Sequence, residues 1–302
     1  MLKLGSAGLE VSEVQKLLSL LGYDLVADGH FGPKTKRSVK SFQKKMGLTD
    51  DGIVGPKTLQ ALKASQKRTS KEIKTTIEPK DIAGVLQINR TKQLHSNQYI
   101  KQVFPKSQLF IHFTAGGPSA ANTISGWNSD EPRIATAYVI NGRTAGDDGE
   151  IFECFNPDLW GFHLGIKNTN GKLDKISVGI EICAWGPLTK RDDKFYNYLN
   201  REVSADEIYT LDKPHKGFKL YHAYSEGQLE SLETLLCSLI EHYKIPVQSS
   251  FDSTWFEFNA NVIKNATPGI WTHTTVRKDK FDSYPDARLL DMLNRISAKY
   301  NS

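Results

Sequence analysis

The sequence predicts an α/β fold, a mixed central sheet flanked by helices, preceded by a small all-α domain of three helices. Three observations carry that expectation. The chain has 302 residues, 39% hydrophobic and 24% charged, enough for more than one globular domain with a real core. A short motif, Asp-Gly-x-x-Gly-Pro-Lys-Thr, occurs at Asp28 and again at Asp51, 23 residues later. From about residue 85, short β-branched runs are mixed with a long helical stripe, the pattern of strands and helices built on one sheet. The expected organisation is a first domain over 1–64, a linker over 65–84 and a second domain over 85–302.

The first domain is justified element by element. In "VSEVQKLLSLLG", Ser12 and Gln15 have capping-box spacing, Val14, Leu17, Leu18 and Leu21 form a stripe, and Gly22 ends the helix. Each copy of the repeat then combines an Asp-Gly turn with a proline suited to the first helical position. Val39, Phe42 and Met46 follow the first copy at helical spacing, closed by Gly47, and Leu59 and Leu62 follow the second. The stretch "SQKRTSKEIKTTIEPK" is polar, without sustained apolar period, and reads as a linker.

In the second domain, Leu109–Phe113 is a buried strand opening into a small-residue loop, with His112 at its end. Thr136–Arg143 and Gly149–Phe155 are a strand pair across a Gly- and Asp-rich turn. Ile176–Trp185 is a β-branched strand with Glu181 in its middle, and Gly269–Val276 is another with His273 near its end. Between them, Ser225 and Gln228 form a capping box ahead of a helix whose apolar face runs from Leu229 to Tyr243.

Polar residues inside these runs are the candidates for chemistry. Glu181 is either an outward-facing glutamate or a carboxylate at the mouth of a cleft, its pKa raised, serving as a base. Singly, His112 and His273 are ordinary structural histidines. Together with Asp282, two residues beyond Lys280, they form a set of two imidazoles and a carboxylate, three zinc ligands that leave a fourth position open. That is the make-up of a catalytic metal site rather than a structural one. His215 and His222 are expected not to be ligands, and His95 and His242 to lie at the surface.

Composition excludes other classes. The three cysteines, Cys154, Cys183 and Cys237, are widely spaced, which argues against a disulfide scaffold or a zinc finger and for buried thiols. A formal charge of +5 suits an anionic polymer and equally a protein with none. The N-terminus lacks the pattern of a secretory signal, and no run of about 18 apolar residues suggests a membrane span.

The 1–64 module, with Leu17, Leu21, Gly22, Asp28-Gly29-x-Phe31-Gly32, Val39, Phe42, Gln43 and Asp51-Gly52-x-Val54-Gly55, resembles the peptidoglycan-binding domain of bacterial and phage cell-wall hydrolases. Over about 85–300, "IHFTAGG", "ATAYVI", "DDGEIFECF", "WGFHLG", "SVGIEI" and "THTTVRKDKFDSYP" resemble the zinc-dependent N-acetylmuramoyl-L-alanine amidases. The resemblance implies Zn2+ held by His112, His273 and Asp282, Glu181 as general base, Lys280 as oxyanion stabiliser, and His163 and Thr114 along the substrate groove. It implies cleavage of the amide between N-acetylmuramic acid and the L-alanine of the stem peptide. The spacing after His273 departs from many members and leaves Asp279 as competitor to Asp282 for the third ligand. The segment 188–221 is longer than the family leads one to expect and reads as an insertion walling the groove. The expected partner is peptidoglycan rather than nucleic acid, without membrane insertion, and the expected state is a monomer. The leading expectation is a phage endolysin, made in the host cytoplasm and acting in the periplasm or wall. A bacterial autolysin, an interbacterial effector amidase and a non-catalytic peptidoglycan receptor are the alternatives.

Overall fold

The structure, a computed structural model, describes residues 1–301 apart from 22, 24, 26, 66–85, 130–133 and 168. It divides into two compact units, Met1–Lys80 and Asp81–Ser302. The expected linker over 65–84 falls, except for Ser65, outside the described residues, as does the expected helix end at Gly22.

The first unit packs α1 (Leu9–Leu20), α2 (Pro33–Lys45) and α3 (56–65) around Val11, Val14, Leu18, Phe31, Val39, Phe42 and Leu62. The repeat has a structural explanation. Gln15, 1% exposed, divides its amide NH2 among Asp28 Oδ1, the His30 carbonyl and Thr35 Oγ1 at 2.8, 2.9 and 3.0 Å. Its own oxygen accepts from Gly29 N at 2.9 Å. Gln43, also 1% exposed, repeats the pattern on Asp51, the Ile53 carbonyl and Thr58 at 2.9, 2.9 and 3.1 Å, accepting from Gly52 N at 2.9 Å. Each motif is thus a cage closed by a glutamine from the preceding helix. The glycine is required because the turn takes φ of +74° at Gly29 and +76° at Gly52. Backbone N–H groups, then the glutamine amide, hold Asp28 and Asp51 below the ordinary carboxylate range.

Two sequence expectations change here. α1 already begins at Leu9, with Gly8 carbonyl accepting from Ser12 N, so Ser12 lies within the helix and Gln15 serves the cage, not a capping box. Met46 is the helix cap and 37% exposed, not core. Gly47 follows it at φ +66°, and Leu48 N returns to Gln43 carbonyl.

The second unit is a three-layer α/β arrangement around a mixed six-stranded sheet. Its strands are β1 (Ile88–Asn89), β2 (Gln108–Phe113), β3 (Tyr138–Ile140), β4 (Ile151–Glu153), β5 (Ser177–Ile182) and β11 (Gly269–Thr272), in the order β1-β4-β3-β5-β2-β11. Only β3 and β4 are antiparallel. β2 and β5 are buried on both faces, which is why they read as near-continuous apolar runs. One face carries α6 (Glu226–Tyr243) and α9 (Ala287–Tyr300), whose buried leucines join the main core. The Ser225/Gln228 capping box of α6 is present as the sequence predicts. Phe110 of β2 belongs to a second cluster with Leu164, Leu173, Val262 and Val276. That cluster draws on α5 (Lys172–Ile176), α7 (Ala260–Asn265) and α8 (His273–Val276); α4 (Ala120–Ser129) follows β2.

The strands end earlier than the sequence suggests. β11 stops at Thr272, and His273 opens α8, because Thr272 and Thr275 make a reciprocal capping box that bends the chain into a helix. Segment 188–221 holds a meander, β6 (Thr189–Arg191), β7 (Lys194–Tyr196) and β8 (Glu202–Val203), and then β9 (Ile208–His215), which pairs with β10 (Phe218–His222). The β9–β10 hairpin grips the loop after α8. Tyr284 stacks on Tyr221 and Tyr224 at 4.3 and 4.8 Å and donates to the His222 carbonyl at 3.0 Å. Cys154 and Cys183 are buried thiols, while Cys237 is only half-buried.

Candidate active site

Parallel register puts the first two groups side by side. His112 on β2 is the register partner of Glu181 on β5, so their side chains leave the same face of the sheet, near the carboxyl ends of both strands. β11 runs parallel to β2 on its other side and delivers His273 one residue beyond its end. Asp282 reaches the same point from the loop after α8, where its carbonyl accepts from Phe113 N at 2.8 Å.

Three ligand atoms converge. His112 Nδ1 and His273 Nδ1 lie 3.2 Å apart, and Asp282 Oδ2 stands 3.2 Å from the first and 2.7 Å from the second. Tetrahedral zinc with N and O ligands sets its donors about 3.3 Å apart, so a small inward collapse separates this triangle from that geometry. Among the described residues, these three form the cluster able to hold a metal ion. The tautomers fit as well. His273 Nε2 lies 2.8 Å from the Leu164 carbonyl, which can only accept, so Nε2 carries the proton and Nδ1 keeps its lone pair. Asp282 Oδ1 is buried without a partner.

Electrostatics favour the ligand form of His112 and Asp282. Burial, against the pull of Asp282, pushes His112 down to about 4, so its imidazole is neutral at neutral pH. Burial alone would raise Asp282, but its close contacts with the His112 and His273 rings outweigh it and hold the carboxyl well below the usual range. Glu181 is 8% exposed, with Oε2 unpartnered. Burial, then the Asp282 charge, raises its pKa well above the ordinary glutamate value, while Lys280 opposes the shift. Glu181 is thus buried and not an outward-facing glutamate.

The other sequence-nominated residues divide. Lys280 is half-buried two residues before Asp282. Asp279 points away, 3.0 Å from Arg277 Nε and 66% exposed, and is not in the cluster. Arg277 is more than a solvated side chain, since it also donates to the Gly165 carbonyl at 3.1 Å. Thr114, just after β2, ties the segment after β5 to that of β2, accepting from Ala184 N at 3.3 Å. His163 is placed differently from the groove position the resemblance implies. It is 7% exposed, behind His112, with its ring nitrogens spent on His112 and Ser177. His215 and His222 are buried and lie outside the cluster.

Sequence reasoning passed over Asp174 and Ser177. Asp174, 2% exposed, accepts from His163 N and Leu164 N, both at 2.9 Å, and so fixes the loop that supplies the acceptor for His273. The one available signal was an aspartate amid the apolar residues Leu173 and Ile176. Gly179 is legible only in three dimensions. A Cβ there would meet Thr136 Cγ2 at 2.8 Å and His163 Nδ1 at 2.9 Å, so the glycine leaves the slot that His163 fills.

Several known structures share parts of this chain. A peptidoglycan-binding protein from Clostridioides difficile is 49% identical over 20% of this chain and 39% of its own length, with a TM-score of 0.20. An endolysin of the Burkholderia phage AP3 is 33% identical over 24% of this chain and 32% of its own, also at 0.20. The PlyG catalytic domain is 13% identical over 72% of this chain and 96% of its own, at 0.40. The chain therefore spans well under half the length of the first two. No curated protein matches it. Residues 7–62 match the profile of a peptidoglycan binding domain. Residues 104–284, which run from before His112 to beyond Asp282 and make up more than half of the chain, match the profile of N-acetylmuramoyl-L-alanine amidase, and the chain belongs to that family.

Proposed function

We propose that the chain is a zinc-dependent amide hydrolase that cuts peptidoglycan between N-acetylmuramic acid and the L-alanine of the stem peptide, working as a phage endolysin. The observation that carries this reading is the convergence of His112, His273 and Asp282 beside the unpaired, buried Glu181. When bound, zinc supplies a Lewis acid with an open coordination position, able to polarise a carbonyl and to lower the pKa of water. His112 and His273 would hold the metal through Nδ1, and Asp282 would add one negative charge. Glu181, its basicity raised by burial, takes a proton from the attacking water and returns it to the leaving nitrogen. Lys280 offers its ammonium to the oxygen that gains charge as the carbonyl is attacked, a role worth a few kcal/mol.

The first unit carries the wall-binding role on this reading. A wall-binding module joined to a lytic one is the arrangement of a lysis enzyme, made in the host cytoplasm and acting on the wall. Among the described residues, no helix is long and apolar enough to cross a membrane. The test is to digest purified cell walls and assay the products. Newly freed L-alanine amino groups without new reducing sugars support the amidase, whereas new reducing ends would refute it in favour of a glycosidase. Chelation should abolish activity, and metal analysis should return about one zinc per chain.

A further inference from the structure

The ligand His112 does not face solvent or a carbonyl with its second nitrogen, as His273 does. Its Nε2 lies 3.1 Å from His163 Nδ1, and His163 Nε2 lies 2.8 Å from Ser177 Oγ. The chain of contacts has one direction if Nδ1 of His112 is to keep a lone pair for metal. His112 Nε2–H then donates to His163 Nδ1, and His163 Nε2–H donates to the Ser177 hydroxyl. Every link is buried, with His112 at 1%, His163 at 7% and Ser177 at 3% exposure. The imidazole of His163 is also fixed by shape. It meets Phe110 edge-on at 5.8 Å and His112 at 5.2 Å, stands in the slot left by Gly179, and hangs from a backbone N–H held by Asp174.

We infer that His163, anchored by Ser177, is a positioning residue that sets the tautomer and ring orientation of His112 and thereby the metal affinity of the site. The inference rests on the zinc reading given above and deepens it. It assigns His163 to the layer behind the metal, where partners of ligating histidines govern affinity, not to the substrate groove. His112 is thus backed by a second imidazole, a softer acceptor than the carbonyl behind His273.

The test is zinc affinity of the full chain, measured by competition with a chromogenic chelator, together with the visible spectrum of the cobalt-substituted protein. In His163→Leu no acceptor faces His112 Nε2, and affinity should fall about 10- to 100-fold with an altered cobalt spectrum. In His163→Asn the amide oxygen can stand near the place of Nδ1, and affinity and spectrum should return most of the way. Ser177→Ala removes only the anchor and should give a smaller loss. Unchanged affinity in His163→Leu, or an Asn variant as weak as the Leu variant, overturns the proposal, the second because packing rather than the hydrogen bond would then matter. Should His163→Leu not fold, Ser177→Ala decides, and unchanged affinity with an unchanged cobalt spectrum overturns the relay. A wild-type chain that binds no zinc would overturn both this inference and the reading beneath it, whereas zinc-binding wild type with indifferent variants sinks the inference alone.

Discussion

The glutamine cages of the first unit, each built on a buried glutamine, and the His112–His273–Asp282 cluster of the second are both polar clusters, and they are built in opposite ways. In each cage the glutamine side chain, the aspartate oxygen and the turn amides meet partners at 2.8 to 3.1 Å. In the pocket, Glu181 Oε2 and Asp282 Oδ1 are buried with no partner, and three ligand atoms crowd one point. A fully paired cluster specifies structure; an unpaired one costs stability and persists where something else is to be bound. On the proposed reading, the difference is that between scaffold and chemistry. It also says that the duplicated motif, however prominent, is framework.

The largest test of this contrast is Glu181→Gln. Peptidoglycan amide cleavage should fall about 10²- to 10⁴-fold, as for loss of a general base, while the urea midpoint stays level or rises because a buried unpaired carboxyl is gone. A clear loss of stability would show Glu181 to be framework after all. The converse is Gln43→Leu, which orphans the partners of one cage. The first unit should lose about 3 kcal/mol, read as an earlier unfolding transition, with cleavage of a soluble muropeptide unchanged.

Lys106 tests the case between these two. It is 5% exposed and donates to the Leu159 and Lys175 carbonyls at 2.7 and 2.9 Å. Burial nevertheless lowers its pKa to about 7, against the pull of Asp158 and Asp174. The folded amine then binds fewer protons than the unfolded one between about pH 7 and pH 10.5, so stability rises with pH across that window. Relative to Lys106→Met, wild type should gain about 2 kcal/mol from pH 7 to pH 9 in urea titrations. A flat difference would mean that the carbonyl pair keeps the ammonium charged. The smallest effect belongs to Asp279→Asn. It should leave zinc stoichiometry intact and shift stability by no more than about 0.5 kcal/mol, whereas loss of metal would return Asp279 to the ligand set.

Much of this was legible in the chain itself, for reasons that differ by residue. The α6 capping box and leucine stripe are local, so Ser225, Gln228 and Leu229 announced them. His112 and Glu181 stood out because polar groups interrupt runs buried on both faces. What stayed hidden depends on partners distant in sequence. Gln15 looked like half of a capping box because its cage partners lie 13 to 20 residues on. His163 looked like a groove residue because nothing in "WGFHLG" shows that Ser177 and His112 enclose it. His273 was placed in a strand because a Thr-Thr capping box lacks the usual Glu or Gln.

The pocket's span in sequence has a consequence in time. His112 and Asp282 are 170 residues apart, whereas the cages close over 8 to 20. A ribosome adding about 5–20 residues per second completes each cage within seconds of making its glutamine. The strand bearing His112 then waits roughly 10 to 30 seconds for Asp282 at that rate. For that interval the nascent chain has its first unit but not Asp282, so on the proposed reading the capacity to cut arrives late and all at once.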